Sequence, residues 1–165
     1  MEAFLLLTTK LNSPINKLVH FRNESIFVQY NIARIKTIIE KYKREYMSQR
    51  IVQSEETISF DNLTSEHEYN LTLVNLFRMQ QLNQSMLTSL TNDSLTCQFD
   101  INKMIDLIKK LAHSFSVYYR NVKVLAEPLD HLMPTIAARV TFCQIILRQF
   151  SFYFSLLNIP TAERM

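Results

Sequence analysis

The 165-residue sequence predicts an all-α fold, an antiparallel bundle of four long amphipathic helices built as one domain over residues 1–165. Three observations predict it. Over four separate stretches apolar residues recur at alternating spacings of three and four, which places them on one face of a helix with 3.6 residues per turn. No stretch shows the period-two alternation of a half-buried strand. The chain also lacks glycine altogether, and this excludes tight primed hairpins, phosphate-cradling P-loops and dinucleotide folds, all of which need residues that accept φ > 0. A hydrophobic content of 47% over this length suits a single core.

Residues 1–24 read as a lead-in segment. The first helix is expected over 26–48, where Val28, Ile32, Ile35, Ile39, Tyr42 and Tyr46 form a core stripe. Phe27, Tyr30, Arg34, Thr37 and Lys41 repeat at three and four as well, about 100° around the axis from that stripe. This second face is aromatic at one end and basic at the other. Residues 51–65 lose periodicity and are rich in Ser, Thr, Asn and acids, the composition of a surface loop.

A second helix is expected over about 66–90, with Tyr69, Leu73, Leu76, Met79, Leu82, Met86 and Leu90 as its stripe. The third begins near Asp100, a fitting N-cap, and carries Ile101, Met104, Ile105, Ile108, Leu111, Ala112, Phe115, Tyr118 and Tyr119. Pro128 and Pro134 punctuate the following connection, so the fourth helix starts between Leu129 and Pro134 and runs to about Leu157. Its inward residues are Ile136, Val140, Cys143, Leu147, Phe150, Phe154 and Leu157, while Arg139 and Arg148 point elsewhere. Asn158, followed by Ile159-Pro160, marks the stop, because Asn tolerates a left-handed cap and proline cannot continue a helix.

The residues that carry chemistry elsewhere are missing or scattered. Cys97 and Cys143 have no C-x-x-C spacing, and four dispersed histidines supply no zinc pattern, so no metal or cofactor is expected. His113 and His131 stand alone, and no Ser/His/Asp or Cys/His constellation is legible, so no catalytic residue is expected. The opening Met1-Glu2-Ala3-Phe4-Leu5-Leu6-Leu7 has an acid where a signal peptide needs a base, its apolar run is short, and no stretch has the length of a membrane span. Five N-x-[ST] triplets, beginning at Asn23, Asn62, Asn70, Asn83 and Asn92, are common by chance in an Asn/Ser/Thr-rich chain. A cytoplasmic protein is expected, ahead of a mitochondrial one.

Net charge is only +3, yet it is unevenly distributed. Between residues 51 and 100 one basic residue, Arg78, stands against seven acids; residues 34–50 hold six basic residues against two acids, and residues 101–165 hold eight against four. The two basic segments suit a polyanion-facing surface, and on charge alone they suit solvated helix faces equally well.

The run Phe27-Val28-Gln29-Tyr30-Asn31-Ile32-Ala33-Arg34-Ile35 resembles the (Y/F)-[VL]-Q-Y-x-x-A-R-[IL] pattern that opens the anticodon-binding helix of arginyl-tRNA synthetases. Leu111-Ala112-His113-Ser114-Phe115-Ser116-Val117-Tyr118-Tyr119 with Val124-Leu125 is similar to that family's L-A-x-x-F-x-x-[FY]-Y…V-L segment. Ala138-Arg139-Val140 resembles its A-R-[LV] helix entry, and the stretch from Leu156-Leu157-Asn158 to Glu163-Arg164-Met165 resembles its L-L-G-[IVL]-x-x-x-E-R-M terminus. Order and spacing agree over residues 20–165. The chain is thereby identified as similar to the C-terminal DALR anticodon-binding domain, and the resemblance implies a helical bundle of the class Ia synthetase anticodon-binding type. It departs from the family where glycine gives way to Asn158 and histidine to Ile32, and no H-x-G-H-like or K-M-S-K-S-like stretch is present.

The resemblance implies a non-catalytic tRNA-binding role, with Phe27, Tyr30, Arg34, Tyr119 and Met165 against the anticodon stem-loop of an arginine tRNA. It further implies either an accessory protein that presents arginine tRNA to a 3-methylcytidine tRNA methyltransferase, or the tRNA-binding end of an arginyl-tRNA synthetase. A secreted four-helix cytokine is a third reading, from size, two cysteines and sequons. The residues themselves leave roles open. Phe27 suits a core staple as well as a base contact, Arg34 suits a pair with Asp61 or Glu66, and Tyr119 suits the core if Tyr118 is the solvent-facing one. Met165 suits a base through its flat, polarizable thioether.

Overall fold

The first helix of the computed structural model begins earlier than its apolar stripe. The structure describes residues 15–47, 60–91 and 101–161. Helix α1 spans Ile15–Tyr42 and closes with a π turn, Lys43–Met47. The segment expected as a lead-in to residue 24 is thus helical from Ile15 onward; it follows Pro14, which suits a helix entrance, and contains no breaker. Val28, Ile32, Ile35 and Ile39 are buried as their spacing requires, joined by Ala33, Ile38 and the polar Asn31. Asn31 donates from Nδ2 to the Phe27 carbonyl at 2.9 Å, a turn behind it. The side chain of Tyr46, expected on this stripe, lies outside the described residues.

Residues 51–59 of the expected loop lie outside the described residues. The remainder holds a 3₁₀ turn, Phe60–Asn62, and then Ser65, which starts helix α2 with a capping box. Ser65 Oγ accepts from the His67 N–H at 3.3 Å, and Glu68 Oε2 accepts from the Ser65 N–H at 2.9 Å. Helix α2 occupies residues 66–91: α-helical over Glu66–Asn70, a π turn over Leu71–Leu76, and α-helical again over Phe77–Thr91. Met79 and Met86 are buried as expected, with Leu76 and Leu82 packed against the core. Tyr69 and Leu73 are not; both are exposed, and Glu68 and Leu71 are buried instead. The expected stripe stepped by three from Leu73 to Leu76 to Met79, and each such step falls about 60° short of a full turn, so its start drifts off the face that Met79 and Met86 define. The side chain of Leu90 lies outside the described residues.

Helix α3 spans Ile101–Asn121; Asp100, its expected cap, lies outside the described residues. Met104, Ile108, Leu111, Ala112, Phe115 and Tyr118 are buried, whereas Ile101, in the first turn, is exposed. Helix α4 follows a 3₁₀ turn, Asp130–Leu132, and spans Met133–Leu156 with Pro134 in its first turn. The expected inward residues are buried apart from Leu147, which is partly so, and Ala138, Phe142, Ile146 and Tyr153 are buried as well. α4 is therefore wrapped by the others over more than one face.

Named contacts fix the topology. Lys109 meets Glu24 at 2.6 Å and Tyr119 meets Arg34, so position advances together along α1 and α3 and the two are parallel. Arg139 meets Glu68 and Tyr153 meets Met79 and Asn83, which makes α2 and α4 parallel. Tyr118 meets Phe142 and Lys123 meets Arg139, which makes α3 and α4 antiparallel. These three relations together make consecutive helices antiparallel, the up-down-up-down bundle.

The chain leaves α4 through a Schellman cap. Asn158 has φ 52°, the left-handed conformation expected of it. The Ile159 N–H donates to the Phe154 carbonyl at 2.8 Å and the Asn158 N–H to the Ser155 carbonyl at 3.1 Å. Ile159 packs on the core, the apolar contact that accompanies this motif.

Candidate nucleic-acid interface

The parallel arrangement of α1 and α3 brings the second face of α1 against the end of α3. Tyr30, Arg34 and Tyr119, three of the expected site residues, meet there. The Arg34 guanidinium lies 4.4 Å from the Tyr30 ring centroid and 4.7 Å from that of Tyr119, and its Nη2 also donates to Tyr30 Oη. Arg34 is thus held by two tyrosines rather than by Asp61 or Glu66. Each cation–π contact contributes about 0.5–1 kcal/mol at an exposed site, enough to favour one rotamer of a long side chain. Both tyrosines are 39% exposed, so a polar cation and two rings are presented to solvent as one surface.

The alternative placement of Tyr118 is settled by burial. Tyr118 is fully buried and meets Phe142 edge-on, with centroids 6.0 Å apart. Burial, and after it the neighbouring Cys143 and Glu68, push its phenol well above the usual range, against the opposing pull of Arg139. Tyr119 instead stacks at 27° and 6.2 Å on Phe115, so its ring is backed by a core residue while it faces solvent.

Beside the cluster opens a cleft of about 530 Å³ whose cations are Arg34, Lys41, Arg120 and Lys123. Its wall is the turn after α3: Val122 and Val124 are buried, and Lys123 between them is exposed. The Lys123 carbonyl accepts from Arg139 Nη1 at 3.2 Å, and Arg139 Nε donates to Glu68 Oε1 at 2.9 Å. Arg139, expected to point away from the bundle, is therefore the strut that ties this turn to α2. Glu68 is 1% exposed; the pattern Ser65-x-x-Glu68 marks it in the sequence as a capping-box carboxylate at a helix start, which an apolar stripe passes over.

Phe27 sits on the same seam but not in the cluster. It lines a second cleft, of about 390 Å³, with Glu24, Lys109, Lys110 and His113. Met165 lies outside the described residues. The last described stretch is pinned to α1, since Gln29 Nε2 donates to the Pro160 carbonyl at 2.9 Å, one residue from Tyr30. That role for Gln29, and the placing of Arg120 and Lys123, were not legible from spacing.

Among the described residues no group of three His, Cys, Asp or Glu side chains is placed to hold a metal ion, and no helix is long and apolar enough to cross a membrane. Cys143 is a free thiol in the core, pushed up to about 12 by burial.

A family model described as the DALR anticodon binding domain matches residues 28–165, which takes in the tyrosine–arginine cluster, the Arg139 strut and the left-handed cap. The chain belongs to the DALR anticodon-binding domain family. Similar proteins include the arginine–tRNA ligase of Borreliella burgdorferi, 30% identical over 87% of this chain and 21% of that enzyme, and that of Borrelia hermsii, 29% identical over the same shares. DALR anticodon-binding domain-containing protein 3 of Rattus norvegicus is 26% identical over 81% of this chain and 25% of its own length. The chain thus spans about a fifth to a quarter of the relatives it matches. No solved structure matches. With the DALR family shown, the four-helix cytokine reading falls. The match begins at Val28, so Phe27 stands one residue outside it, whereas Tyr30, Arg34, Tyr119 and Met165 stand within.

Proposed function

We propose that this DALR domain binds tRNA at the anticodon arm, without chemistry of its own. Tyr30, Arg34 and Tyr119 take splayed loop bases, and the cations of the adjoining cleft take phosphates. The observation that carries this reading is the guanidinium seated on two half-exposed tyrosines at the mouth of a cationic cleft. Unpaired RNA bases stack on aromatic rings and on Arg planes, and stacking is sequence-tolerant in energy, about 1–3 kcal/mol per base. Because Arg34 is already ordered by the rings, little of its rotamer freedom is left to lose when RNA arrives. Met165 is proposed as a further base contact, and Phe27 as a contact from the neighbouring cleft.

Similarity to arginine–tRNA ligases supports arginine tRNA as the ligand. We further propose an accessory role in the cytoplasm, presenting that tRNA to a 3-methylcytidine tRNA methyltransferase, as the sequence resemblance implies. The second reading, the tRNA-binding end of an arginine–tRNA ligase, is favoured by the 87% of the chain that aligns with those enzymes.

Sequencing of RNA that co-purifies with the chain, combined with binding across a salt series, tests the proposal. Three cleft phosphate contacts, from Lys41, Arg120 and Lys123, give a slope of roughly 2–2.7 in log affinity against log salt at 0.7–0.9 each. Salt-independent binding, or no enrichment of tRNA, refutes it. Arginine charging by the chain alone is expected to be undetectable.

A further inference from the structure

The exit from α4 is held at two successive residues, one from within and one from outside. The Ile159 N–H bonds the Phe154 carbonyl at 2.8 Å and Ile159 packs on the core. Pro160, next in the chain, has no N–H to donate and a fixed φ. Its carbonyl is met by a side chain from far away in the sequence: Gln29 Nε2 donates to it at 2.9 Å across 131 residues. An inward apolar anchor and an outward polar one together set the direction in which residues 161–165 leave.

That direction bears on the base-reading cluster. Around the axis of α1, Gln29 lies about 100° to one side of Tyr30, and Arg34 about 40° to the other. Half-exposed Tyr30 therefore stands between the exit from α4 and the Arg34–Tyr119 pair. Five residues lead from Pro160 to Met165, and at ~3.3–3.6 Å each they reach about 17 Å. A helix with its side chains is about 10–12 Å across. The stretch is long enough to cross α1 past Tyr30 and arrive at the guanidinium and the second ring. Released from Gln29, the same length spreads over directions that lead away from the cluster.

We propose that Gln29 is a positioning residue for RNA binding: by holding the Pro160 carbonyl it directs residues 161–165 over Tyr30, so that the Met165 thioether meets the base taken by the tyrosine–arginine cluster. The inference rests on the proposed reading of the cluster and of Met165, and deepens it by naming what sets that contact in place. Gln29 acts through the stretch it holds rather than on RNA. Its contribution is to lower the cost of ordering that stretch when the base is covered.

The test is a double-mutant cycle on the full chain with arginine tRNA as the probe: the parent, Gln29→Met, Met165→Ala and the two combined. Methionine keeps the length of Gln29 and removes the donor, and the bond it deletes is exposed, so melting near that of the parent is expected and is checked for each variant. Losing the thioether contact weakens binding roughly 2- to 10-fold. Gln29→Met weakens it by no more than that, and the combined variant binds like Met165→Ala alone, because a stretch without its contact gains nothing from being aimed. A Gln29→Met protein that binds like the parent overturns the proposal. So does a combined loss equal to the product of the two single losses, since Gln29 then acts through the fold or directly on RNA. Parent-like binding by Met165→Ala overturns it too. In each of these cases a Tyr30→Ala protein that still binds weakly leaves the loop reading standing. A parent protein without affinity for arginine tRNA overturns that reading and the Gln29 latch together.

Discussion

Replacing Arg139 with methionine tests how the cleft wall is held. The change removes the Nε–Oε1 contact of 2.9 Å to Glu68 and the bond of 3.2 Å to the Lys123 carbonyl. Glu68 stays 1% exposed, with the Ser65 N–H at 2.9 Å as its remaining donor. Breaking a buried pair from one side costs about 3–5 kcal/mol, since a charge is left uncompensated. The Arg139 side chain is 20% exposed, which places the cost near the lower end, about 3 kcal/mol. For a domain of this size each kcal/mol moves Tm by about 2–4 °C, so the expected drop is about 6–12 °C. The Glu68→Gln/Arg139→Met double variant is expected to recover most of it, because no buried charge remains. Melting by circular dichroism reads both. An Arg139→Met protein within about 2 °C of the parent, or a double variant that is no better than the single one, refutes the strut.

Other outcomes follow from the same structure. Asn158→Gly is expected to hold or raise stability, since φ 52° carries no Cβ penalty for glycine, and Asn158→Val to lose about 1–2 kcal/mol, read by denaturant unfolding. Burial raises the Cys143 thiol from 9.0 to about 12 and the Tyr153 phenol from 10.0 to about 12. The folded state therefore holds these protons after the unfolded chain has released them: stability is full below about pH 9 and falls as pH climbs towards 12. Melts across that range show the fall, and Cys143→Ala with Tyr153→Phe lessens it, the remainder coming from Tyr118, whose phenol burial raises as well. Arg34→Ala weakens RNA binding; if Arg34 stacks on a base the salt slope stays nearly unchanged, whereas a fall of about one unit in a binding series would assign it to a phosphate.

Most of the bundle was legible because its stripes are local. The α1 and α3 patterns depend only on residues within a few turns, and burial follows them closely. The stripe of α2 failed at its start, where steps of three carried it off the face of Met79 and Met86; that a carboxylate, Glu68, sits buried on that face depends on Arg139, 71 residues away, and hydropathy does not carry that. The start of α1 was missed because residues 15–24 lack a stripe, yet nothing in them breaks a helix. Within the site, Tyr30 and Arg34 were legible as one face of one helix. Their meeting with Tyr119 depends on α1 and α3 being parallel, a property of topology. The resemblance selected Tyr119 over Tyr118; the stacking of Tyr119 on Phe115 gives the physical reason. Lys123 lies in a turn without periodicity, so only the fold places it beside Arg34.

The central claim is that Tyr30, Arg34 and Tyr119 form the base-reading surface, and the direct measurement is arginine-tRNA affinity for Tyr30→Ala, Tyr119→Ala and the matching phenylalanine variants. Each alanine is expected to lower affinity by roughly 1–3 kcal/mol and each phenylalanine by much less, because the ring supplies most of the stacking. Tyr119 rests on the core residue Phe115, so only variants whose melting stays near that of the parent count. Well-folded Tyr30→Ala and Tyr119→Ala proteins that bind arginine tRNA as tightly as the parent would contradict the assignment.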